Sequence, residues 1–228
     1  MKKKIIFLVN IDSFFISHRL PIALELLKEG YEVHIATEFT AYKKKLSKIG
    51  FKTHNINFNR NSSNFFIILL PIFQIFVLFF KIRPNIVHLI SLKPIILGGL
   101  ISFITPINSL IISVTGLGSM FIEKKYFFKK RKFFFNTLYK IIFKFPNIKV
   151  ILQNNSDLNY LIKESNLNKK KVKIIKGSGV ILNQFKFSKI PKNLPIILMA
   201  SRIISDKGVL EFINAIKYLK KNNFKGKF

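Results

Sequence analysis

Seven short runs rich in Ile, Val, Leu and Phe alternate with helix-patterned stretches, and this alternation constrains the fold more than any other feature of the chain. The runs lie at Lys2–Asn10, Tyr31–Thr37, Lys52–Ile56, Asn85–Ile90, Ser109–Val114, Ile148–Gln153 and Lys171–Gly177. Helical patterns fall between them: one ended by Gly30 with Ile22, Leu26 and Leu27 inward, then Lys43–Ile49, Ser63–Lys81, Pro94–Ile104, a basic-aromatic stretch, and Ser156–Ser165. Residues Asn10–Leu20 read as the loop leading into the first helix. Strands that are apolar throughout belong to parallel sheets covered on both faces. The expected fold is therefore α/β, a Rossmann-like doubly wound parallel sheet. At roughly 150–200 residues per such domain, a chain of 228 residues holds one domain and the start of another. A Pro/Lys segment around Ser188–Asn193 marks the boundary. The expected division is 1–188 for the sheet domain, 189–193 for the linker, and 194–228 for the first βα unit of an incomplete second domain.

That last unit carries a pattern of its own. Ile196–Leu198 reads as a buried strand, Ser201–Lys207 as a polar loop, and Gly208 as the start of a helix with apolar Leu210, Ile213, Ile216 and Leu219. A strand, a short loop and a helix N-terminus, with Arg202 and Lys207 beside the unpaired first-turn amides, suit a diphosphate. An exposed loop with incidental charges explains the same residues.

The charge balance is extreme, with 39 basic against 10 acidic residues and a net charge of +29. Such an excess attracts nucleic acid, an anionic bilayer or phosphorylated substrates. The joint abundance of Lys, Asn, Ile and Phe also fits A/T-rich codon usage. With no cysteine, the chain excludes disulfides, thiolate catalysis and cysteine-ligated zinc. The apolar run after Met1–Lys4 is too short for a signal peptide, so a cytoplasmic location is expected.

In a doubly wound sheet, ligands gather at the carboxyl ends of the strands. His18 follows the first strand and can exchange a proton or hydrogen-bond a sugar hydroxyl, or simply bond nearby backbone. Arg19 beside it reads as solvated surface. In Thr115-Gly116-Leu117-Gly118, two glycines permit close approach of backbone to a ligand, although a plain turn explains them too. Gly177-Ser178-Gly179 closes another strand, as a ligand contact or as a hinge. Gln153 and Asn154 can meet a ligand or cap the following helix. His88 reads as a core or cleft-edge histidine. His34 and His54 lack partners of metal-ligand type, so no tightly bound metal is expected.

Five blocks in order resemble the family 4 glycosyltransferases, retaining enzymes of GT-B fold: FFISHRLPIALELLKEGYEVHIAT, IRPNIVHLIS, VTGLGSMF, VILQNNSDLNYL and IIKGSGVILNQF. The segment Leu194–Ile216 resembles the opening of that family's second domain. Among them, the nearest in kind act on polyprenyl-diphosphate-linked sugars in bacterial surface-glycan assembly. The resemblance implies a nucleotide-sugar donor as co-substrate with no further cofactor, and a lipid-linked glycan acceptor. It implies that Arg202, Lys207 and the Gly208 helix start hold the donor diphosphate and stabilise it as leaving group. It also places His18, Thr115, Gly116, Gly118, Gln153, Asn154, Gly177, Ser178 and Gly179 around the acceptor cleft. Two departures stand out. Ile181 replaces the aspartate of a usual Gly-Val-Asp, and the family's paired-glutamate motif does not occur. Negligible transfer is therefore expected from the chain alone.

Two stretches bear on membranes. Phe65–Phe80 would make about 24 Å of helix, short of a hydrocarbon core of about 30 Å, so packing or monotopic contact is expected there. Lys124–Phe145 alternates cations with phenylalanines. It suits peripheral docking on the anionic cytoplasmic face of the inner membrane, or an amphipathic helix packed on the sheet. Two other classes compete: a basic nucleic-acid-binding protein, disfavoured by the absence of a recognised motif, and a GT-B nucleotide-sugar epimerase.

Overall fold

The computed structural model describes residues 2–58, 65–117, 126–182, 185–189, 194–201, 203–204 and 207–228. The chain forms two compact units, Met1–Gly179 and Val180–Phe228. The first is built on seven parallel strands: β1 (Lys4–Ile11), β2 (Glu32–Glu38), β3 (Lys52–Asn55), β4 (Ile86–Ile90), β5 (Ser109–Val114), β6 (Ile148–Leu152) and β7 (Val172–Ile174). Their order is β3-β2-β1-β4-β5-β6-β7. The order reverses between β1 and β4, where Phe7 stands opposite His88. This is the doubly wound sheet the sequence predicts.

The unbroken apolar run of β1 has a direct cause. Ile5, Phe7 and Val9 face one core with Val33 and Ile35, and Ile6 and Leu8 face the other with Val87 and Leu89. Helices α1 (Asp12–His18), α2 (Leu20–Lys28) and α3 (Lys43–Ile49) accompany the first half of the sheet, supplying Phe15, Ala23 and Leu46 to the first core. Helices α4 (Phe65–Ile82), α5 (Leu92–Ile101), α6 (Tyr126–Ile142) and α7 (Asn155–Ser165) supply Ile75, Phe79, Ile95, Tyr139, Ile142 and Leu161 to the second.

Three expectations need correction. The Asn10–Leu20 stretch is no loop: β1 runs directly into α1, and α2 follows after a break at Arg19. The helix expected over Pro94–Ile104 ends at Ile101, and Ser102–Ile104 tightens to a 3₁₀ turn, with the Ser102 hydroxyl donating to the Gly98 carbonyl at 2.7 Å. In the second unit Ile196–Leu198 is neither buried nor a strand. Leu198 is 80% exposed, and a single parallel bridge joins Ile196 to Lys227. A buried parallel strand needs hydrogen-bonded neighbours and covering helices; the described residues of this unit provide that one bridge and α8 (Val209–Lys221). Gly208 caps α8 in the left-handed region at φ 74°, and Leu210 and Ile213 on the helix are exposed.

Helix α4 has two characters along its length. Ile75 and Phe79 are buried against the sheet, whereas Phe73, Val77 and Phe80 are exposed. No helix among the described residues is long and apolar enough to cross a membrane.

The closest packing lies under α5. A Cβ on Gly98 would sit 2.6 Å from Leu89 Cδ2 and 2.8 Å from Leu8 Cδ2, and one on Gly99 would meet Ile142 at 2.9 Å. The glycine pair lets α5 approach both the central strands and α6. Gly98→Val is expected to destabilise the protein by about 2–3 kcal/mol through overpacking. A urea melt of equal m-value and lower midpoint would show it, and an unchanged midpoint would remove this role for the glycine.

Candidate functional site

At the break between α1 and α2 the sequence writes His18-Arg19-Leu20-Pro21. Pro21 occupies the first turn of α2, where its missing N–H costs nothing, but its ring disfavours continuation of α1. Arg19 takes the break, with φ −128° and ψ −14°. Its side chain turns inward and is 6% exposed, which corrects its reading as solvated surface. Nη1 donates to the His18 carbonyl and to Ser178 Oγ, both at 3.1 Å. Nε is buried without a partner. Burial pushes the guanidinium below its ordinary value.

Arg19 lines a small cleft of about 90 Å³ with Ile22, His88, Ser113, Thr115, Gln153 and Ser178 among its neighbours. Apart from Ile22 on α2, these residues come from inside or just beyond the carboxyl ends of β4, β5, β6 and β7, at the crevice that the strand order predicts. His88 is 4% exposed; its Nε2 lies 2.7 Å from the Ser113 hydroxyl, and its ring packs against Phe7 at 5.2 Å between centroids. Burial, and then the Arg19 charge, push its pKa down to about 3. A histidine so placed is neutral near pH 7 and acts as a hydrogen-bonding group rather than as an acid.

The expected site residues divide unevenly. Thr115, Gln153, Gly177 and Ser178 line this cleft. Gly116 at φ 134° and Gly179 at φ 72° flank lining residues, in backbone conformations that favour glycine. Asn154 caps α7: its Oδ1 accepts from the Asp157 amide at 2.7 Å. His18 does not line the cleft; its ring stacks on Phe14 at 4.2 Å and its Nδ1 lies 2.6 Å from Ser17 Oγ. Gly118 and Arg202 fall outside the described residues. Lys207 and Gly208 belong to the second unit, where the Lys207 amide donates to the Ile204 carbonyl at 3.1 Å just before α8. Arg19 is the cleft residue that the sequence reading assigned to the surface, and the signal for its inward turn was Pro21, which forces a break in an otherwise helical pattern.

Asp12 holds the neighbourhood in place. It is fully buried, and its carboxylate accepts from the amides of Thr40, Ala41 and Tyr42 at 2.9, 3.1 and 2.9 Å and from the Thr40 hydroxyl at 2.8 Å. Burial opposes its ionisation, but these hydrogen bonds outweigh it and hold the carboxyl below the usual range. The loop after β2 is thereby tied to the start of α1. At the other side of β2, Glu32 Oε1 lies 2.7 Å from His34 Nε2, and His34 Nδ1 lies 2.9 Å from His54 Nε2. The two histidines are thus linked in a line with Glu32. Among the described residues no group of three or more His, Asp or Glu side chains is disposed to hold a metal.

The strand order defines a class: a Rossmann-like lobe of the GT-B fold. Anabaena HepE, solved with UDP and glucose, superposes with a TM-score of 0.67 at 15% identity, over 94% of this chain and 57% of that one. A glycosyltransferase from Rickettsia africae does so with 0.67 at 24% identity, over 96% and 58%. Residues 4–155 match the glycosyl transferase 4-like family model, and the chain belongs to that family. It is 29% identical over 232 aligned positions to the N,N'-diacetylbacillosaminyl-diphospho-undecaprenol alpha-1,3-N-acetylgalactosaminyltransferase of Campylobacter jejuni. That alignment takes in 96% of this chain and 61% of the relative, so the chain spans about three-fifths of the relative's length.

Two outcomes test this geometry. Asp12→Ala strands several amides and is expected to cost about 3 kcal/mol, measured by chemical denaturation, with Asp12→Asn recovering part of it. His88 has a folded pKa near 3 against an ordinary 6.5. The unfolded chain therefore binds the extra proton first, and stability should fall as pH drops from about 6.5 toward 3. His88→Gln should flatten the pH dependence of the urea midpoint in that window. An unchanged slope would mean that the buried imidazole contributes nothing to acid sensitivity.

Proposed function

We propose that this protein is a retaining glycosyltransferase that moves a sugar, an N-acetylhexosamine, from a nucleotide-sugar donor to a lipid-linked diphosphate acceptor. The observation that carries the reading is the polar cleft at the switch point of a family 4 lobe, in a chain related along nearly its whole length to an enzyme named for such an acceptor. On this reading the cleft receives the acceptor sugar. Gln153 offers its side-chain amide for sugar hydroxyls, and neutral His88 fixes Ser113 beside it. His18 would act from the rim. Arg202, Lys207 and the start of α8 would hold the donor diphosphate and stabilise it as it leaves, by electrostatics rather than proton transfer. Residues 1–188 would serve as the acceptor domain, 189–193 as linker and 194–228 as the opening of the donor domain.

A lipid acceptor calls for a membrane surface. On α6, Phe133 is 74% exposed beside Phe134, and Lys129 and Lys130 are exposed one turn earlier. Apolar rings that sink into the interface beside cations that meet headgroups give reversible docking, with about 1 kcal/mol per basic residue near an anionic leaflet. The net charge of +29 supports that placement. It equally motivates nucleic-acid binding, which the same experiment tests.

The test uses nanodiscs containing phosphatidylglycerol, with or without an undecaprenyl-diphosphate-linked monosaccharide. Saturable binding above empty nanodiscs is expected. Transfer from UDP-N-acetylhexosamine to the bound acceptor is the activity read on the same nanodiscs. Binding indifferent to the acceptor would overturn the reading. Tighter, steeply salt-dependent binding to oligonucleotides than to nanodiscs would favour the nucleic-acid alternative.

A further inference from the structure

We propose that Arg19 and Ser178 form an oxyanion site for a diphosphate at the carboxyl edge of the sheet, within the first unit. Arg19 is more than nine-tenths buried, yet no acidic side chain among the described residues pairs with it. The ion pairs among the described residues join Lys28 to Glu25 and His34 to Glu32. Burying a cation without a counter-ion is strongly unfavourable unless an anion arrives to complete it. The donors left over point to such an anion. Nε has no partner, and Nη2 makes no hydrogen bond to any described residue.

Ser178 completes the pair. Its oxygen accepts from Arg19 Nη1 at 3.1 Å, so its own proton is free to donate, and it meets no described acceptor. Gly177 at φ 91° and Gly179 at φ 72° hold the turn that presents this hydroxyl on the exposed side of the contact. The Thr115 hydroxyl, which has no partner among the described residues, lines the same cleft. A guanidinium fork with two hydroxyl donors, and no carboxylate lining the cleft, matches phosphate oxygens. Only the source of the diphosphate rests on the transferase reading, since lipid acceptor and nucleotide donor both carry one.

Calorimetric titration of the 228-residue chain with inorganic pyrophosphate, at fixed ionic strength, tests the site. Arg19→Met should weaken binding about tenfold or more, Arg19→Lys less, and Ser178→Ala severalfold. Without ligand, Arg19→Met should melt no lower than wild type, because it removes an unpaired buried charge; a purely structural arginine would melt lower. Should that variant fail to fold, the exposed Ser178→Ala decides by the same titration. Equal affinity in wild type and variants, or no saturable binding in wild type, overturns the site. Farnesyl diphosphate and UDP then name the source, by whichever shows Arg19-dependent affinity; if neither does, the site is overturned. Arg19-dependent pyrophosphate binding without acceptor binding on nanodiscs would keep this site and discard the transferase reading. Acceptor binding on nanodiscs together with pyrophosphate binding indifferent to Arg19 would do the reverse.

Discussion

The central position of β1 is the constraint on which the rest of the first unit depends. It pairs with β2 on one side and β4 on the other, and its side chains serve both cores. Chain connections leave its carboxyl end toward α1, while β4, β5 and β6 build outward in the other direction. Parallel strands deliver all their carboxyl ends to one edge, so the crevice at the reversal collects residues from four connections and from inside β4. No single segment carries the cleft. It exists because the sheet brings Arg19, His88, Thr115, Gln153 and Ser178 together from positions as much as 159 apart in the chain.

Electrostatics in the cleft follow from burial. Asp12 and Arg19 are seven positions apart and both are buried, but they meet opposite fates. Asp12 has four backbone amides and a hydroxyl turned toward it, so its charge is satisfied within the fold. Arg19 has one carbonyl and one hydroxyl, with donors left over. Its uncompensated charge reaches His88 and adds to burial in keeping that imidazole neutral. The two residues mark the difference between a charge that holds the fold and a charge that the fold holds available.

The second unit shows how much of a βα pattern depends on neighbours. Helix α8 forms, with Gly208 at its start and Lys220 and Lys221 in its last turn, because capping, charge placement and propensity are local. The apolar run before it does not become a buried strand. Its pairing would have to come from elsewhere in a sheet, and Lys227 is what the described residues provide.

The sequence by itself determined the order of strands and helices and the class of sheet, because periodicity and apolar runs are written residue by residue. Helix α3 and strand β5 fall on the residues their pattern predicts. It also determined the glycine-bearing strand ends, since a positive φ at Gly177 and Gly179 is a local demand. Tertiary structure decided which of the polar residues after β1 faces the cleft. His18 and Arg19 are adjacent and equally polar on paper, yet the helix break sends the arginine to the cleft and leaves the imidazole stacked on Phe14. The pairings of Asp12 with the loop after β2, and of Arg19 with a serine 159 positions away, were settled by packing the sheet, because their partners become neighbours only once the strands are side by side.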